Sequence, residues 1–470
     1  MKTKRKNTPG TCKVRRDLVG GKRGDGHRRT KAVRRPDPCR IAMGKPDASL
    51  SGVAGLVAFG TFLRAIGVDR KLRELFGDLK SRTLGKYPME AQLRLLIDLY
   101  MAGEQRVFAT EAMASDPVFV LLAGGVLPSV DTVYRDLDRF DDEALTSLTA
   151  LMASHGLVSA QKLRRRKEVH VDIDTTVTPV FGLEMEGAVP GPNPHYHGRP
   201  SYHPILARVA ETDTCVNACL RAGDTGFGND DAPFVAATID SVRAAIGASP
   251  LLYVRIDAAG DCAAIMRTVH QRGAFFLTKA RMTPDLCGAV ALESRWRVVD
   301  RDADGRPSRE VAEIAFRRRE WGLEDDLPVR VIAVRTRERE RGKQLYLWDD
   351  LDWTVQVYLS NDMYSDGDAL AWKYDQRAGI EPLIAEWKTA WGIGKHSCAS
   401  FNANAAAMQI KLLAHNLLHR HVEANLPELQ GWRTAWVRRA VIRVPGRIVK
   451  SGRSRTLRMQ PRPVLQPLLQ

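Results

Sequence analysis

Tyr374-Asp-Gln-Arg377-Ala-Gly-Ile-Glu381-Pro-Leu-Ile-Ala-Glu-Trp-Lys388 spaces an aromatic hydroxyl, a guanidinium, a carboxylate and an ammonium at offsets of zero, three, seven and fourteen. At about 100° per helical residue, Arg377, Glu381 and Lys388 fall within about 60° of Tyr374 on one helix face. Ile380, Leu383, Ile384, Trp387 and Trp391 fill the adjoining arc. A solvated charge stripe lies opposite the apolar face of a helix, whereas this one borders it, which marks a working surface. Pro382, with Gly379 beside it, predicts a helix start or kink at Glu381, since proline lacks an N–H and resists helix interiors. In that case only Glu381 and Lys388 are sure to share a face.

Upstream of this stretch the pattern is that of an α/β protein. Val169-His-Val-Asp172-Ile-Asp174-Thr-Thr-Val is β-branched and carries two carboxylates on one strand face. Strands are expected at Tyr202–Val209, Val216–Arg221, Leu251–Asp257 and Ala274–Thr278, and helices at 231–246 and 262–272. Strands in sequence, then strand and helix alternating, build a mixed sheet. An Asp at the carboxyl end of a strand, as at Asp257, is where open α/β sheets place their sites. Over residues 281–355 the alternation breaks into short β segments between charged turns, read as an inserted antiparallel β subdomain. The sheet pattern returns in Thr354–Asn361, and a strongly apolar helix is expected over Asn402–His419.

The expected organisation is a basic disordered arm (1–45), a helical DNA-binding domain (46–160), a first catalytic part (161–280), the insertion (281–355), a second catalytic part (356–425) and a basic tail (426–470). Within the helical domain, Ser129 or Asp131 caps a helix presenting Thr132, Arg135 and Arg139 on one side, as a groove-reading helix does. An ordinary helical bundle is the competing reading.

Composition sets the partner class. The 470 residues include 71 Lys and Arg against 55 Asp and Glu, a net charge of +16. That excess favours a polyanion, most often nucleic acid, and the arginine- and lysine-rich arm adds sequence-independent phosphate affinity. No apolar run approaches the ~20 residues that span a bilayer. No signal-type segment follows the basic start, so a cytoplasmic protein without a membrane partner is expected. Seven scattered cysteines suit reduced thiols rather than a metal–thiolate site.

Three carboxylates stand out: Asp174 in one strand, Asp257 ending another, and Glu381 at a helix. Carboxylate oxygens are the natural ligands of Mg²⁺, and two such ions can serve phosphodiester displacement. The plain alternative is that these acids decorate strand ends.

Those segments resemble the DDE transposases of bacterial insertion sequences, in the subgroup with the Tyr-Arg-Glu-Lys signature and a β-strand insertion before the final Glu. Y-x₂-R-x₃-E-x₆-K is met by Tyr374, Arg377, Glu381 and Lys388. Asp174-Thr-Thr is similar to the first acidic motif, and Arg255-Ile-Asp257 with Asp261 to the second, although Ala258 stands where a polar residue is usual. It is the motif, not geometry, that selects Asp174 over Asp172. The separation 381 − 257 = 124 leaves room for the insertion. Ser201-Tyr-His-Pro204, Ala414-His-Asn-Leu417 and Leu127–Arg135 also look like family sequence.

The resemblance implies an RNase H-like sheet carrying Mg²⁺, with Mn²⁺ able to substitute. Asp174, Asp257 and Glu381 would be the catalytic acids and metal ligands. Tyr374, Arg377 and Lys388 would contact DNA phosphates. The partners would be double-stranded DNA, both terminal inverted repeats and target, bound by a homodimer or larger synaptic complex at the bacterial nucleoid. An insertion tryptophan (Trp296, Trp321 or Trp348) would be a candidate for stacking on a flipped base. The rivals are a catalytically inactive, transposase-derived DNA-binding protein and a nuclease without strand transfer.

Overall fold

Apolar side chains at alternate positions of Glu168–Thr175 (β1) point to one side of a sheet: Val169, Val171 and Ile173 are fully buried. The computed structural model describes residues 42, 44–80, 86–181, 184–193, 196–337 and 353–468. The arm over 1–45 and Trp348 therefore lie outside the described residues, apart from 42, 44 and 45.

β1 pairs antiparallel with Ile205–Val209 (β2), which pairs antiparallel with Thr214–Cys219 (β3). On its other side β1 runs parallel to Leu251–Ile256 (β4), and β4 runs parallel to Phe275–Lys279 (β5). This order, β3-β2-β1-β4-β5 with three antiparallel strands followed by two parallel ones, is an RNase H-like sheet. The crossovers are Ala232–Ile246 (α4) and Ala263–Gln271 (α5). Both bury their apolar stripes against the Val169 face.

The insertion does not stand apart from this sheet. Arg297–Arg301 (β6), Pro307–Glu313 (β7), Arg330–Arg337 (β8) and Trp353–Ser360 (β9) form an antiparallel series whose last member pairs with β5, Tyr358 opposite Lys279. Among the described residues the result is one nine-stranded sheet, β6-β7-β8-β9-β5-β4-β1-β2-β3.

The other face carries Gly367–Asp375 (α6), Ile380–Glu386 (α7) and the 25-residue Phe401–Asn425 (α8). The N-terminal helices join this layer. Met89–Met101 (α1), Val130–Leu137 (α2) and Asp142–Ala160 (α3) share one core with Trp387, Trp391 and the buried residues of α8. The described residues from Ala48 onward cluster as one compact unit, in which the N-terminal helices and the sheet share a core. The basic tail folds as a hairpin, Gly446–Ser451 against Ser454–Met459, turning at Gly452 with φ 59°. Among the described residues no helix is long and apolar enough to cross a membrane.

Candidate active site

The polar seam expected on one continuous helix is instead distributed over a broken one. α6 ends at Asp375, residues Gln376–Gly379 form a 3₁₀ turn, α7 starts at Ile380, and Trp387–Trp391 is a π turn. Pro382 sits in the first turn of α7, where its missing N–H costs nothing. Tyr374 thus closes one helix, Arg377 lies in the turn, Glu381 opens the next helix and Lys388 lies in the π turn. The expected kink is present, and the single-helix phase argument is replaced by this relay.

The segment is clamped to the sheet by Asp172, which is fully buried. Arg255 grips it with Nε at 2.6 Å and Nη2 at 3.0 Å, and Arg208 with Nε at 3.0 Å. Arg255 also donates through Nη1 to the Lys373 carbonyl at 2.7 Å, holding the end of α6. Arg208 lies so close to Gly379 that an added Cβ would meet its Nη2 at 2.7 Å. Both Asp172 oxygens are therefore committed to guanidinium groups, which leaves Asp174 as the open carboxylate of this strand.

Asp174 stands two residues along the same face. The β1–β4 register pairs Asp172 with Arg255. Continuing it by two residues brings Asp174 level with Asp257, on strands about 4.8 Å apart. Asp174 Oδ1 accepts from the Thr175 N–H at 2.9 Å, and Oδ2 faces Arg377 Nη2 at 3.0 Å. Burial is the main force lifting the Asp174 carboxyl, to about 6. Arg377 opposes that rise, while Asp257 and Glu381 add to it. All three acids thus share one electrostatic neighbourhood. Asp257 accepts from the Ala259 N–H at 2.9 Å, so its carboxylate is oriented by the turn that follows β4. Glu381 is exposed on the first turn of α7.

Lys388 Nζ donates to the Val177 carbonyl at 2.9 Å, just beyond β1. Burial lowers its pKa, and Asp174 works against that. Tyr374 is buried, its ring centroid 5.2 Å from that of Tyr358 and 5.5 Å from Lys279 Nζ, which leaves little of it to meet a ligand. Arg135 is exposed on α2 and bonds to Asp131 and Thr132, whereas Arg139, expected on the same helix, lies exposed in the turn after α2 and bonds back to Asp136, because the helix ends at Leu137. Ser129, not Asp131, caps α2.

Two further groups belong to the site. His203 bonds through Nε2 to Thr175 Oγ1 at 3.1 Å and through Nδ1 to the Thr225 carbonyl at 2.7 Å. Its motif was visible in Ser201–Pro204, but its pairing with Thr175 is a tertiary contact. Asp261 is bracketed by the Arg281 N–H at 2.7 Å and by Arg318 Nη1 at 2.6 Å, so it ties the insertion to the loop after β4. Of the candidate tryptophans, Trp321 is fully buried, and Trp296 is half-buried with Arg335 lying 4.3 Å above its ring.

Hard carboxylate oxygens on two adjacent strands and a facing helix suit a divalent cation such as Mg²⁺. In the present arrangement, no group of three or more His, Cys, Asp or Glu among the described residues is close enough together to hold a metal ion. A positive group already sits against Asp174.

The sheet order and the acids at the carboxyl ends of β1 and β4 define an RNase H-like fold. The chain belongs to the DDE transposases: the family model for the transposase DDE domain, group 1, matches residues 39–470. DNA transposition and recombination follow from that membership, with nuclease and strand-transfer chemistry and a general use of divalent metals. Among solved structures the chain is similar to a piggyBac transposase, seen in a synaptic complex with hairpin DNA. That match has 11% identity and a TM-score of 0.44 and covers 82% of this chain and 78% of that one. No curated protein sequence matches it.

Proposed function

We propose that this transposase cuts DNA at the ends of an insertion sequence and transfers the freed 3′-hydroxyl to target DNA, using Asp174, Asp257 and Glu381 as ligands for Mg²⁺ or Mn²⁺. Its partners are terminal inverted repeats and target DNA, bound by a dimer or larger synaptic assembly in the bacterial cytoplasm. The observation that carries the reading is the level placement of Asp174 and Asp257 on parallel neighbours, with Glu381 contributing to the same field. Bound there, divalent ions would stabilise charge on the attacking and leaving oxygens.

The chain's own residues supply the rest. Arg377 offers a planar fork suited to a phosphate, and Lys388 a point charge beside the strand end. Thr175 fixes one Asp174 oxygen and is itself held by His203. The arm, Arg135 and Arg139 add phosphate contacts away from the acids.

The test is incubation of full-length protein with DNA carrying its element's ends and Mg²⁺ or Mn²⁺. Nicking is expected from the wild type and is lost in Asp174→Ala, and joined ends appear on sequencing of the products. Binding without nicking, or nicking unaffected by Asp174→Ala, overturns the enzymatic reading in favour of an inactive DNA-binding relative. Cleavage without joined ends reduces it to a nuclease.

A further inference from the structure

We propose that Arg377 occupies the cation position at Asp174 until DNA draws it away, so that metal and DNA bind the site cooperatively. The inference rests on the reading of Asp174 as a metal ligand and of DNA as the substrate.

Three observations carry it. The Arg377 side chain is only 7% exposed and that of Asp174 15% exposed, yet their nearest atoms are 3.0 Å apart. The guanidinium is also poorly satisfied: its buried Nε and Nη2 have no aligned hydrogen-bond partner, so the contact to Asp174 is an ion pair without hydrogen-bond geometry. Buried N–H groups left this way are costly, and a phosphate, with several acceptor oxygens, would satisfy them. Third, the other cations nearby are already engaged. Lys388 is held by the Val177 carbonyl, and Arg208 and Arg255 by Asp172. Arg377 has no such hydrogen-bonded anchor, and it rides on the short turn Gln376–Gly379 between two helices.

A divalent ion at Asp174 Oδ2 and a guanidinium at the same oxygen repel each other. With Arg377 in place, metal must expel it unaided, and a phosphate arriving at the site gives it somewhere to go. Coupling of this kind is reciprocal: DNA raises metal affinity by the factor by which metal raises DNA affinity.

The experiment is a calorimetric Mn²⁺ titration of the full-length protein, with and without a short duplex, at constant ionic strength. Asp174→Asn serves as the reference for Mn²⁺ held elsewhere. In the wild type, duplex is expected to tighten the Asp174-dependent Mn²⁺ binding on the order of ten-fold. Fluorescence anisotropy of the labelled duplex should show the same factor when Mn²⁺ is added. Arg377→Gln should bind Mn²⁺ about as tightly without DNA as the wild type does with it, and should lose most of the coupling. Arg377→Lys, which keeps the charge, should retain part of it.

An unchanged or weakened Mn²⁺ affinity in Arg377→Gln overturns the proposal, as does independence of Mn²⁺ and duplex binding in the wild type, a measurement that needs no variant to fold. If Asp174→Asn binds Mn²⁺ like the wild type, the metal reading of Asp174 itself has failed.

Discussion

Asp172 and Asp174 lie two residues apart on one face of one strand, and the protein treats them in opposite ways. Around Asp172, two guanidinium groups close on both oxygens and tie β1, β2 and β4 to the end of α6. Around Asp174, one oxygen is fixed by the next peptide N–H and the other meets a guanidinium that is itself incompletely bonded. The inner carboxylate is spent on holding the fold. The outer one is kept largely out of water beside a single guanidinium, where burial makes its ionisation oppose folding and invite a cation.

The comparison is most directly broken at Asp172. Removing a buried charge while leaving its two arginines in place should destabilise by about 3–5 kcal/mol, and urea unfolding of Asp172→Ala measures it. A loss below 1 kcal/mol would mean the triad does not hold the sheet to α6.

Asp174→Asn should do the reverse. The Asp174 carboxyl is lifted to about 6, mainly by burial. A raised acid favours folding fully below its unfolded pKa, and that contribution is lost as pH rises through the folded one. Against an unfolded value of about 3.9, the ionised group weighs on the fold by about 2–3 kcal/mol above pH 6. In EDTA the Asn variant should therefore exceed the wild type by about that amount at pH 8 and match it near pH 4. Equal stability of the two proteins across this range removes the contrast.

A smaller effect sharpens the boundary between the two carboxylates. Gly379 has an ordinary helical backbone but no room for a Cβ beside Arg208. Gly379→Ala should cost about 1–2 kcal/mol by displacing that side chain. It should reduce nicking more than DNA affinity, because the turn carries Arg377 and leads directly into the helix that bears Glu381. Comparing nicking rates with anisotropy binding curves separates the two effects.

Much of this was legible in the chain. The β-branched runs gave the core strands and the long apolar run gave α8, while Gly379 and Pro382 announced the break that divides the polar seam. The choice between Asp172 and Asp174 was not legible from spacing, since a period of two gives both the same face. What separates them is Arg208 and Arg255, which arrive from other strands. The pairing of Trp353–Ser360 with Phe275–Lys279 was equally hidden, because strand alternation states a face and not a neighbour. For the same reason amphipathic N-terminal helices read as a domain, although their apolar stripes close on α8.

The continuity of the sheet has a geometric consequence. Adjacent strands rotate by roughly 20–25°, and six steps separate β1 from the outermost strand Arg297–Arg301. The accumulated turn is roughly 120–150°, so the far edge is rotated past perpendicular to the strand bearing the acids. The sheet is thus a propeller-like ramp, whose two ends present their strand edges in different directions.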